Sequence, residues 1–225
     1  MAVSALAAPA AAQVRAIAVV EEWVEEAAAP AIPAGIAAYG PFRVLDAERA
    51  ALVDATDRAS PGAFAAMLRD HPGIATLELV ECPGTDDDTA NLKLGRMIRA
   101  RGIATHVPAG GSVRSGAVEL FLAGARRSID DGAEFAVHAW RDSDGREPDD
   151  FAADSPVNRT YLDYYREMGL AEPQAFYDMT NAVANSDARW LTAQDMRAWL
   201  GEAPAGSVTT AGPAIAYLDL RHAIP

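Results

Sequence analysis

Apolar positions in this chain come in short clusters separated by Gly, Pro and acidic turns. Between residues 60 and 140 these clusters alternate in kind. Ser60-Pro61 supplies an N-cap and a proline at the first helical position, and Phe64, Met67 and Leu68 form the stripe of the helix that follows. His71-Pro72-Gly73 ends that helix. Ile74 to Val80 is rich in apolar and β-branched residues, as a buried parallel strand is, and Cys82-Pro83-Gly84 is its turn. Leu92, Leu94, Met97 and Ile98 then predict a helix closed by Gly102, and Ile103 to Val107 predicts another strand. Gly110-Gly111 leads through Ser115 to a helix over Ala117–Ala125, and Ala133 to Trp140 reads as the next strand. Strands alternating with helices in this order predict an α/β fold with a mainly parallel sheet and right-handed crossovers.

The flanks are less regular. Ala37 to Leu45 reads as one short strand. Residues 14–29 alternate Val or Ile with Glu, which suits either a strand or a short amphipathic helix. Arg141 to Asp154 is polar and acidic with little pattern, a candidate loop or lid. Ser155-Pro156 and Glu172-Pro173 each start a helix, and their tyrosines and Phe176 read most simply as core packing, with a substrate-lining role open. Thr192 caps a further helix carrying Met196, Trp199 and Leu200, and Ala214 to Leu220 reads as a last strand. No internal sequence repeat is visible.

Composition narrows the picture. At 225 residues, half of them hydrophobic, the chain suits one medium domain with a sizeable core. A formal net charge of -13 argues against electrostatic binding to nucleic acid or anionic lipid, which needs clustered Lys and Arg. The one cysteine, Cys82, excludes an intrachain disulfide and a cysteine-based metal site. It sits at the end of an apolar strand with no adjacent His, so it reads as a buried thiol. Asp86, Asp87 and Asp88 stand where a helix begins, and capping explains them better than a metal does. No cofactor or metal is expected. Residues 1–13 resemble the back half of a secretory signal, with small apolar residues, Pro9 and the run Ala10-Ala11-Ala12, although no positive segment precedes them. A periplasmic or secreted location is therefore expected, or a cytoplasmic one if these residues are no signal. No segment is apolar for long enough to span a membrane.

The chemistry-bearing residues lie between Thr76 and His138. A serine hydroxyl needs a base to take its proton, a histidine supplies one near neutral pH, and the tetrahedral oxyanion needs N–H donors from glycine turns or helix starts. Gly84 and Thr85 follow one strand, Ser115-Gly116 opens a helix, and His138 ends the next strand. Taken singly, Ser115 reads as a helix cap, as does Ser112, and His138 and His106 as hydrogen-bonded strand histidines.

In these residues the chain resembles the Clp-protease-like branch of the Clp/crotonase superfamily, most closely its bacterial periplasmic or secreted members. Leu77-Glu78-Leu79-Val80-Glu81-Cys82-Pro83-Gly84 matches the family's strand ending in Ser-Pro-Gly-Gly. The helix from Leu94 to Gly102 and the segment from Gly110 to Gly124 follow in family order. Val137-His138 and Trp190-Leu191-Thr192-Ala193 complete the match. The resemblance spans roughly residues 37–200, with residues 1–13 as the signal remnant, 14–36 as an extension and 37–225 as the domain. It implies repeated β-β-α units, Ser115 as nucleophile and His138 as base. It also implies an oxyanion site from the N–H groups of Gly116 and the Gly84-Thr85 turn. This chain departs from the family at Thr85, which replaces a glycine, and at Arg114, which replaces a small residue. Ala188 stands where the family has its aspartate, and the adjacent Asp187 is the substitute.

The expected activity is that of a serine hydrolase or peptidase acting on a peptide or a small ester or amide. The alternatives are a non-catalytic binding protein on the same fold, and a crotonase-like enzyme acting on an acyl thioester. Such relatives assemble as rings or trimers, so the tyrosine-rich helices after Asp154 are either a homo-oligomer interface or a cover for the sheet.

Overall fold

The computed structural model describes residues 31–202. The strand or amphipathic helix expected at 14–29, the strand expected at 214–220 and the signal-like residues 1–13 lie outside that range. A meander opens the fold: β1 (Ala37–Tyr39), β2 (Phe42–Val44) and β3 (Arg49–Leu52) pair antiparallel in order. The single strand expected over 37–45 is thus two, turning at Gly40-Pro41 with Gly40 at φ +55°. Helix α1 (Ser60–Asp70) follows. Ala59 is its N-cap; Ser60 lies inside the first turn, where its hydroxyl donates to Asp57.

Three β-β steps then repeat, each placing one strand in each of two sheets. They are β4 (Thr76–Leu79) with β5 (Glu81–Cys82), β6 (Ala104–Val107) with β7 (Ser112–Arg114), and β8 (Arg127–Ile129) with β9 (Glu134–Val137). Helix α2 (Asp88–Ala100) follows the first pair and α3 (Ala117–Leu122) the second. Strands β3, β4, β6 and β8 are parallel neighbours in a six-stranded sheet, and β5, β7 and β9 are parallel neighbours in a four-stranded one. The expected β-β-α repeat and parallel pairing are present, divided between two sheets. Helices α4 (Pro156–Glu167) and α5 (Pro173–Asn181) come next, then β10 (Arg189–Thr192), antiparallel on β9, and α6 (Ala193–Trp199). Among the described residues no helix is long and apolar enough to cross a membrane.

Alternation along the strands explains which face is covered. In β4, Leu77 and Leu79 are buried while Thr76 and Glu78 are partly exposed; in β6, Thr105 and Val107 face in. His106 faces out and sits 3.2 Å from Asp130. The core unites Phe42, Phe64, Leu94, Phe121, Phe135 and Phe176 with Tyr164 and Tyr165, all nearly or fully buried. Tyr164 and Tyr165 therefore belong to the core of this one chain. Gly95 of α2 has no room for a Cβ because the Tyr164 hydroxyl occupies that space. Cys82 is buried, and burial pushes its thiol well above its ordinary range, as a packed and unreactive cysteine requires.

Candidate active site

The second sheet delivers its strand ends to one cavity of about 110 Å³. Ser115 leaves β7 with its N–H donated to Ala136 O at 2.8 Å, and its own carbonyl accepts from Val118 N at 2.9 Å. Between these two bonds the chain turns sharply. Ser115 has φ +51° and is the only non-glycine residue with positive φ among the described residues. For an L-residue that conformation costs on the order of 1–2 kcal/mol, so the surroundings must enforce it.

They do so through close backbone packing. A Cβ on Gly84, whose φ is +130°, would lie 2.9 Å from Ser115 Cβ and 3.3 Å from its Oγ. A Cβ on Gly116 would lie 2.5 Å from Thr85 Cγ2 and 3.1 Å from Asn91 Nδ2. Only glycine fits at either position. Asn91, 2% exposed, ties the two turns together. Its amide donates to Gly116 O at 2.6 Å and its carbonyl oxygen accepts from Thr56 Oγ1 at 2.9 Å. Thr56 N in turn donates to Gly84 O at 3.0 Å. Among the described residues the N–H groups of Gly84, Thr85 and Gly116 meet no acceptor. Thr85 and Gly116 line the cavity, whereas Gly84 packs behind the serine. The Thr85 hydroxyl turns away, to Thr56 O at 3.2 Å and Asp87 O at 3.3 Å. Arg114 also turns away, its guanidinium bonded to Glu81 and, at 2.6 Å, to Ser112 Oγ.

His138 follows β9 and lines the same cavity. No hydrogen bond joins it to Ser115 among the described residues. Its Nδ1 lies 2.9 Å from Ala139 O and 3.1 Å from Asn185 Nδ2. Asp187 stands elsewhere: it is exposed, and its carboxylate accepts from Ala188 N at 2.8 Å. Asn185, which also lines the cavity, occupies the place beside the imidazole.

Two carboxyl groups complete the wall. Asp87 caps α2, accepting from Ala90 N at 2.9 Å, and leaves Asp88 to face the cavity. Asp88 keeps part of its surface in solvent. Burial of the rest raises its pKa; Asp87 adds to the rise, and Tyr161 and His138 oppose it. Glu119 of α3 is 8% exposed and accepts from Tyr165 Oη at 2.7 Å. Burial pushes its pKa up to about 7, against the opposing Tyr165 bond. The polar loop expected at 141–154 contributes Arg141 to the wall. It also anchors Asn185, whose N–H donates to Glu147 Oε1 at 3.1 Å. Among the described residues no three His, Cys, Asp or Glu side chains are placed to hold a metal ion.

Sequence reasoning thus reached Ser115, His138, Thr85 and Gly116, and missed Asp88, Glu119 and Asn185. Glu119 had a signal: it is the one charged residue in the apolar run Val118–Leu122.

Fold and cavity together define an α/β protein of repeated β-β-α units that brings a serine and a histidine to the wall of one cavity. No protein-family model and no curated protein matches the chain. Among solved structures it is similar to a mutant of the 1510-N membrane-bound stomatin-specific protease in complex with a substrate peptide. Identity is 12%, the match covers 65% of this chain and 72% of that one, and the TM-score is 0.41. A likeness at that level assigns neither family nor activity.

Proposed function

We propose that this chain is a serine hydrolase of the Clp-protease-like kind, cleaving a peptide or a small ester or amide through an acyl-enzyme on Ser115. The observation that carries this reading is the left-handed backbone of Ser115 at a strand-to-helix turn on the cavity wall. A strained residue held only by its neighbours is a functional candidate, and a sharp strand-to-helix turn is one way to present a serine Oγ. In the proposed reaction Ser115 Oγ attacks the substrate carbonyl carbon while His138 takes its proton. The oxyanion draws on the N–H groups of Gly116 and Thr85, which line the cavity. Collapse expels the amine or alcohol, which receives the proton from His138, and water then releases the acid by the reverse sequence. A cavity of about 110 Å³ suits a short acyl group.

Labelling with a fluorophosphonate probe tests this. Wild type is expected to label, and Ser115→Ala and His138→Ala are not; a folded wild type that stays unlabelled overturns the reading. That outcome would favour a non-catalytic binding protein on the same fold. Assembly as a homo-oligomer and a periplasmic or secreted setting belong to the same proposal, and light scattering and cell fractionation test them.

A further inference from the structure

The histidine has no carboxylate against its Nδ1, and the geometry around it shows what takes that place. Ala139 O, Asn185 Nδ2 and His138 Nδ1 form a triangle with sides of 2.9, 2.9 and 3.1 Å. We infer that the third member of the site is a main-chain carbonyl, Ala139 O, held in position by Asn185. It fixes His138 with its proton on Nδ1 and its lone pair on Nε2. The inference rests on the hydrolase reading for its catalytic meaning, and on the triangle alone for its content.

Proton accounting decides the arrangement. Asn185 Nδ2 must face Ala139 O, because the flipped amide would set two acceptor oxygens 2.9 Å apart. An unprotonated Nδ1 would accept from Asn185 Nδ2 at 3.1 Å, but only by setting its lone pair 2.9 Å from the same carbonyl oxygen. A protonated Nδ1 donates to it instead, and a carbonyl with two lone pairs accepts from both the ring and the amide. The carbonyl is fixed from its other side as well. Ala139 N donates to Val183 O at 2.7 Å, and Asn185 N donates to Glu147 Oε1 at 3.1 Å, so the 183–185 segment is zipped to the chain leaving β9. The proton on Nδ1 leaves Nε2 able to accept one from a hydroxyl, which is the form a general base needs. Asn185 acts through His138 and is a positioning residue.

Long-range 1H–15N correlation spectra of the full chain with 15N-histidine test this, at a pH where the imidazole is neutral. The sequence holds four histidines, and His138→Gln identifies the signal. His138 is expected as the Nδ1–H tautomer in wild type. In Asn185→Leu it is expected to shift toward the Nε2–H form that free imidazole prefers, with probe labelling slowed on the order of tenfold. An Nε2–H tautomer in wild type overturns the inference. A tautomer unchanged in a folded Asn185→Leu removes Asn185 from it. If wild-type His138 is Nδ1–H but the probe never labels Ser115, the hydrolase reading fails and the assignment of the third member stands.

Discussion

The two halves of the cavity are built differently. The serine half comes mainly from the repeated units and is held by close packing: Gly84 and Gly116 leave no room beside Ser115, and Asn91 and Thr56 tie their turns together. The histidine half lies where the repeats end. Its partners are a loop carbonyl and the side chain of Asn185, which is itself tied to Glu147. Packing fixes the first half at a cost in strain. Neutral hydrogen bonds orient the second. The absence of a Ser115–His138 hydrogen bond among the described residues fits that division, since such bonds often tighten only with substrate bound.

The largest expected effect concerns Glu119, the buried carboxyl of the serine half. Its ordinary pKa is 4.5 and its folded value about 7, so across that window the folded chain holds a proton the unfolded chain has lost. Stability should fall as pH rises from 4.5 through about 7, by about 3 kcal/mol in all. Denaturant midpoints measured from pH 4 to 8 should show the decline, and Glu119→Gln should flatten it. A smaller loss, about 2 kcal/mol, is expected for Gly116→Ala, whose new methyl meets Thr85 and Asn91. Asn185→Leu should cost only about 1 kcal/mol, since a loop can relax around lost hydrogen bonds. Equal losses for these last two variants in chemical denaturation would erase the contrast between the halves. Ser115→Gly should be more stable than wild type by about 1 kcal/mol, because glycine adopts the positive φ without strain. Thermal melting would reveal the gain, and its absence would mean that the turn is not strained.

Much of the parallel architecture was legible because α1, α2, β4 and β6 carry clear periodicity and the aspartate run caps α2. The shortest strands were not. Glu81–Cys82, Ser112–Arg114 and Arg127–Ile129 are two or three residues long, too short to alternate, and Ser112–Arg114 sits beside the glycines that mark it as a turn. At the site, Ser115 and His138 could be placed from their strand-turn context. Asp88 was hidden by its neighbours, since the capping expected of the aspartate run falls to Asp87 and frees Asp88 to face the cavity. Asn185 was invisible for another reason: an asparagine in a loop carries no periodic signal, and only the pairing of Ala139 with Val183 brings it to the histidine. The resemblance pointed to Asp187, two positions along, whose side chain binds its own loop instead.

The most direct test of the central claim is the rate of fluorophosphonate labelling at Ser115 as a function of pH, with the adduct mapped by mass spectrometry. An activated serine predicts a rate that rises with pH and collapses in His138→Gln. A rate indifferent to pH and unchanged in His138→Gln would contradict the account, leaving Ser115 as a strained turn residue with no base beside it.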